Sequence, residues 1–164
     1  MKLALQMGND QLRQLDRSHI SRGLLRLHIV DIRKQLYELG ATRYDIMLPE
    51  TKALPLVVQP NEVIKGIVYG KYTQETSGLP IKGRGALVTT NKRILLIDRK
   101  PLYMKCDEIS FDSIGGINYS RVGFVSNITL HSRIGDIHLR TFNQRCAYSF
   151  ISAVEAVALK KREL

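Results

Sequence analysis

The chain has 164 residues, 44% of them apolar and 24% charged, which fits one folded domain and excludes a disordered or collagen-like polypeptide. No apolar run reaches the length of about 18 residues that a membrane-crossing helix needs. With 25 basic against 15 acidic side chains the net charge is +10, which points to an anionic partner: nucleic acid, an anionic lipid surface or an acidic protein.

The apolar start of the chain ends at Met7, too short for the core of a signal peptide. Cys106 and Cys146 do not make a disulfide framework in a chain of this size, so two reduced thiols are expected. The expected location is the cytoplasm, with peripheral attachment at the inner membrane face as a further option.

Composition changes near residue 45. Leucine, arginine and glutamine dominate before it; valine, isoleucine, threonine, tyrosine and most glycines follow. Residues 1–45 read as a helical segment. Asn9 or Asp10 can cap a first helix carrying Leu12 and Leu15. Ser18 to Gly23 is a weaker stretch. From about Ser21, Leu25, Ile29, Ile32, Leu36 and Leu39 recur at spacings 4, 3, 4, 3, one stripe of a helix, and Gly40 stands where a helix C′ residue belongs. The stripe can pack on the rest of the chain or on a neighbouring protomer. Residues 46–60, with Pro49, Pro55 and Pro60, read as an irregular connector containing one short extended piece, Leu54–Val58.

Strands are expected at Val63–Thr73, Gly85–Thr90, Arg93–Asp98, Leu102–Cys106, Ile117–Ser120, Phe124–Ser132 and Asp136–Phe142. A two-residue turn at Ile134-Gly135 would set Leu130 opposite Leu139, Ile128 opposite Thr141 and His131 opposite His138. Asn143 can cap a closing amphipathic helix with Ala147, Phe150, Ile151, Val154, Val157 and Ala158 at helical spacing. Lys160, Lys161 and Arg162 lie in its last turn, where they complement the helix dipole. Seven short strands and one helix suit a closed barrel or sandwich whose open end the helix covers.

The segment from Gly85 through Leu-Val-Thr-Thr-Asn-Lys-Arg to Asp98 resembles the third and fourth strands of bacterial pleckstrin-homology-like domains. Pro60-Asn61-Glu62 is similar to the lead-in to their first strand, and Phe111–Ile117 to the element that follows. The resemblance covers roughly residues 50–160 and implies an α+β fold. Its core is a pleckstrin-homology-like barrel or sandwich of about seven antiparallel strands with a C-terminal capping helix, over residues 48–162. It also implies a non-enzymatic binding or scaffolding module, often oligomeric.

In lipid-binding relatives a basic residue before the first loop and a Lys/Arg-x-Arg pair after it hold phosphates, and Lys71 with Lys82-Gly-Arg84 looks like that arrangement. Guanidinium offers a planar fork to phosphate and ammonium a point charge. Glu75 in the intervening loop opposes an anion. Lys92 and Arg93, with Arg99 and Lys100 at the other end of the same predicted strand, are explained by turn chemistry and solubility; the alternative is a basic rim facing an anionic partner. The anion-binding candidates are thus Lys71, Lys82, Arg84, Lys92 and Arg93.

Two opposed histidines are spaced for a metal, but zinc needs further ligands, and a surface pair is the simpler reading. Cys106 precedes Asp107 and Glu108, which would raise its pKa. The chain carries no Gly-x-Ser-x-Gly, His-Glu-x-x-His, phosphate-cradling loop or dinucleotide fingerprint, so neither enzyme nor small-molecule cofactor is expected. Nucleic acid ranks behind. Its basic residues are dispersed, and Tyr69 and Tyr72, the candidate stacking platform, suit barrel strands equally well. The role expected is recognition of a protein or peptide, with self-association through the Leu25–Leu39 stripe as an option. An anionic membrane surface is the first alternative and non-specific nucleic-acid binding the second.

Overall fold

The computed structural model describes residues 21–76 and 78–162. Asn9, Asp10, Leu12 and Leu15 lie outside the described residues. Helix α1 covers residues 21–38. It stops at Gly40, where the Gly40 N–H donates to Tyr37 O (3.1 Å) and the Ala41 N–H to Leu36 O (3.0 Å), the paired bonds of a Schellman ending.

The leucine–isoleucine stripe divides. Ile32 and Leu36 are buried in this chain's own core, Leu39 packs against it, Ile29 is half-buried and Leu25 is 47% exposed. Ile32 and Leu36 are thus not available to a second protomer, and only the start of the stripe faces outward.

The connector is not irregular. It forms α2 (Arg43–Met47) and α3 (Pro49–Val57). A reciprocal capping box starts α2, with the Asp45 N–H on Thr42 Oγ1 (3.2 Å) and the Thr42 N–H on Asp45 Oδ2 (2.8 Å). Pro49 stands at the first position of α3, where a missing N–H removes no bond. Pro55 lies inside the same helix. The helix persists because Ala53 and Leu54 are fully buried, so tertiary packing outweighs the lost bond.

Seven antiparallel strands follow: β1 (Ile64–Gln74), β2 (Ile81–Thr90), β3 (Ile94–Arg99), β4 (Met104–Ile109), β5 (Ile114–Val122), β6 (Val125–Ser132) and β7 (Ile137–Thr141). A 3-10 turn, Phe111–Ser113, precedes β5. Their order in the sheet is β4-β3-β2-β1-β7-β6-β5. β1 serves both halves, pairing with β2 along its length and with β7 through Lys71–Gln74. The sheet folds over as a sandwich whose outer strands β4 and β5 do not meet.

Helix α4 (Gln144–Arg162) closes the sandwich. Asn143 caps it through Oδ1, which accepts from the Cys146 N–H at 3.1 Å. Its amide also donates to Gly40 O (3.0 Å) and Asp45 Oδ2 (2.9 Å), tying the start of α4 to the end of α1 and to α2.

Both faces of β1–β3 are buried. Inside, Val68, Leu87, Ile94 and Leu96 meet Ile128, Leu130, Leu139 and Phe150 across the sandwich. Outside, Ile67, Tyr69, Val88, Leu95 and Ile97 lie beneath Ile32, Leu36, Ile46, Ala53 and Leu54. The N-terminal helices and the sheet therefore share one hydrophobic cluster.

The β6–β7 register differs from the expected one by two residues. Ile128 pairs with Leu139, Leu130 with Ile137 and Thr129 with His138. Gly135 adopts φ 123°, and a Cβ there would lie 1.7 Å from Glu75 O, so a glycine is required and the loop lengthens to 133–136. A two-residue slip keeps the apolar face inward but separates the histidines. His131 Nδ1 lies 2.8 Å from Asp136 Oδ2, and His138 contacts Thr129 Oγ1 (2.9 Å) and Glu75 Oε1 (3.3 Å).

Candidate functional site: a basic row in a cleft

Three cations stand side by side on neighbouring strands. Lys71 on β1 pairs with Arg84 on β2 and with Arg140 on β7. Strand spacing of about 5 Å sets the three backbones within about 10 Å. Their side chains share the outer face with Tyr69, beyond the edge of the helical layer, because alternation sends Tyr72 and Leu139 inward. Gly70 makes this arrangement possible: a Cβ there would lie 1.9 Å from Arg140 O, so only glycine lets β7 close on β1. Like charges on adjacent strands repel one another. Among the described residues no carboxylate lies within 4.0 Å of Lys71, Arg84 or Arg140 to offset this.

The row lines a cleft of about 640 Å³. One wall is helical, with Tyr44, Asp45, Leu48 and Glu50 from α2 and α3 and their junction. The opposite wall is the end of β7 and the start of α4, including Phe142 and Arg145. Tyr44 and Phe142 are both exposed, giving the cleft aromatic rims. Asp45 is committed to structure, since its Oδ2 takes the Thr42 N–H, the Thr42 hydroxyl (2.9 Å) and the Asn143 amide.

Lys82 lies on the same face, two residues before Arg84, opposite Thr73. Lys92 and Arg93 lie at the far end of β2, roughly 33 Å from Lys82 by strand length. The five candidates therefore form one group of three and a separate pair. Lys92 Nζ donates to Asn61 Oδ1 (3.1 Å) and Gln59 Oε1 (3.4 Å).

Arg93 is a clamp rather than an open anion site. Its Nε donates to Glu62 Oε1 (3.0 Å), its Nη2 to Glu62 Oε2 (3.1 Å) and Val57 O (3.0 Å), and its Nη1 to Glu108 Oε2 (2.6 Å). Burial alone would raise the Glu62 carboxyl. Hydrogen bonds from Arg93, Thr90 and the Gln59 N–H, with the guanidinium charge, outweigh it and hold the pKa near 2. The guanidinium is correspondingly held protonated, first by its hydrogen bond to Glu62.

Tyr69 and Tyr72 are buried, so neither offers a stacking face. The Tyr69 hydroxyl meets Thr51 Oγ1 at 2.8 Å, and the Tyr72 hydroxyl donates to Asp98 Oδ2 at 2.8 Å. Burial raises both phenol pKa values. Cys106 is exposed, and partial desolvation, with Asp107 and Glu108 nearby, raises its thiol pKa against the lowering effect of Arg93. Among the described residues no group of three or more His, Cys, Asp or Glu side chains is placed to hold a metal ion. No helix among them is long and apolar enough to cross a membrane.

Arg140, Arg145 and Glu50 escaped the sequence reading. The alternation of Ile137 and Leu139 inward does turn Arg140 outward, but its place beside Lys71 depends on the β1–β7 pairing, which closes the sandwich across 68 residues of intervening chain.

Residues 58–156, well over half of the chain, match the family model described as "Bacterial PH domain". Among solved structures the chain is similar to the "Vps36 N-terminal PH domain", at 16% identity over 66% of this chain and 87% of that one, with a TM-score of 0.48. It is also similar to the DH/PH domains of p115-RhoGEF (R399E mutant), at 12% identity over 84% of this chain, with a TM-score of 0.39. It spans 41% of that protein's chain. No curated protein matches the sequence. The chain belongs to the bacterial PH domain family.

Proposed function

We propose that the chain is a non-enzymatic binding module whose cleft takes an acidic segment of a protein partner. The observation that carries this reading is the row Arg84–Lys71–Arg140, three cations on adjacent strands with no carboxylate partner among the described residues. Three converging cations repel one another and are stabilised by an anion. The cleft's aromatic rims suit an extended chain lying along it, with side chains rather than a flat surface reaching the basic floor. The test is fluorescence anisotropy of a labelled acidic peptide across a salt series. Lys71→Glu and Arg84→Glu each weaken binding about tenfold or more, while Lys92→Glu, at the far end of β2, leaves it unchanged. Equal loss in all three variants would refute a localised site.

A second reading has its own observation. Leu79 (88% exposed) and Leu102 (98% exposed) project from the β1–β2 and β3–β4 loops, at one end of the sheet, beside Lys82 and Lys100. Apolar loop tips within a basic surround suit an anionic bilayer surface. Sedimentation with vesicles containing anionic lipid at low salt tests it; a chain left in the supernatant refutes it.

A further inference from the structure

The acidic-segment reading leaves Glu50 unaccounted for. Glu50 is the second residue of α3, is 6% exposed, and lines the same cleft as Lys71 and Arg84. Among the described residues it has no hydrogen-bond donor and no cation within 4.0 Å. Its neighbours are already committed: Asp45 to Thr42 and Asn143, Tyr69 to Thr51. The start of α3 places partial positive charge near it, but Pro49 has no N–H to give. Its carboxylate oxygens keep contact with the open cleft, so a cation on a bound ligand could pair with them without displacing a protein donor.

The cleft is thus bipolar. Its strand floor carries Arg84, Lys71 and Arg140, and its helical wall carries Glu50. A purely acidic ligand satisfies the floor and is repelled by the wall. A ligand with one cationic side chain among acidic ones satisfies both, and its charge order fixes the direction in which it lies.

We propose that the ligand is a peptide segment of mixed charge, whose lysine or arginine pairs with Glu50 while its acidic side chains meet Arg84, Lys71 and Arg140. This rests on the cleft being the peptide site.

The test is calorimetric titration of the full chain with two capped peptides, one carrying only acidic side chains with glycine spacers, the other identical but for a single terminal lysine. The lysine-bearing peptide is expected to bind about tenfold tighter. In Glu50→Gln that preference is lost, and the purely acidic peptide binds at least as well as to the unaltered chain. A third peptide, with norleucine in place of lysine, repeats the comparison on the unaltered chain and needs no variant. It should bind like the acidic one. Equal affinity for all three peptides, or a lysine preference that survives Glu50→Gln, overturns the proposal. If Lys71→Glu then weakens every peptide alike, the peptide site itself stands. A chain that ignores all three peptides and sediments with anionic vesicles overturns both.

Discussion

Replacing Glu62 by glutamine keeps the shape of the side chain and removes the charge that holds Arg93. Glu62 falls from an ordinary 4.5 to about 2 in the fold, a difference worth about 3 kcal/mol of stability at pH 7. The sign follows from the depressed pKa. The stabilisation is complete above pH 4.5 and disappears as pH falls towards 2. Glu62→Gln should therefore lower the unfolding free energy by about 3 kcal/mol at pH 7 and by only about 1 kcal/mol at pH 3. The assay is urea denaturation at both values, with midpoints converted at a common slope. Adding Arg93→Met to Glu62→Gln should recover part of the loss, since it removes a half-buried guanidinium that the first change leaves with only Glu108 and Val57 O. A loss below about 1 kcal/mol at pH 7, or an equal loss at both pH values, would refute the clamp as the origin of that stability.

Leu36→Ala empties a fully buried position between α1 and the sheet and should cost about 2–5 kcal/mol by the same denaturation assay. Gly70→Ala sets a Cβ against Arg140 O, so it should part β7 from β1, with loss of hydrogen-exchange protection at Lys71–Gln74 and at Ile137–Arg140, together with weaker peptide binding. Cys146, buried with its thiol pKa pushed up by burial to about 12, should resist alkylation at neutral pH until the chain unfolds; exposed Cys106 should react first, slowly for a surface thiol. Peptide binding should weaken with salt at a slope that shrinks when Arg140 is replaced by glutamine, as read from anisotropy at several ionic strengths.

Much of the fold was legible because short strands and their turns leave strong local marks. Ile94-Leu-Leu-Ile97 reads as a strand from side-chain type alone, and Asn143 before Ala147 and Phe150 reads as a capped helix. That same apolar run carried a further message. A strand without alternation is buried on both faces, so a layer had to lie outside β2 and β3, and the Ile32–Leu36 stripe is that layer. The proline-rich connector misled because proline breaks helices in general but starts them at the first position. The hairpin register misled because Gly135 suits a tight turn, whereas its contact with Glu75 O belongs to a longer loop. Lys71, Lys82 and Arg84 were legible as a group because β1 and β2 adjoin in sequence. Arg140 and Glu50 were not, since long-range pairing and helix docking bring them to the cleft.

The row Arg84–Lys71–Arg140 is where this module is proposed to meet its ligand. The most direct test is an amide chemical-shift titration of the full chain with the lysine-bearing acidic peptide. Saturable shifts are expected at Lys71, Arg84, Arg140 and Glu50, with Lys92 and Arg93 unmoved. Shifts confined to the β1–β2 and β3–β4 loops, or spread evenly over every basic surface, would contradict it.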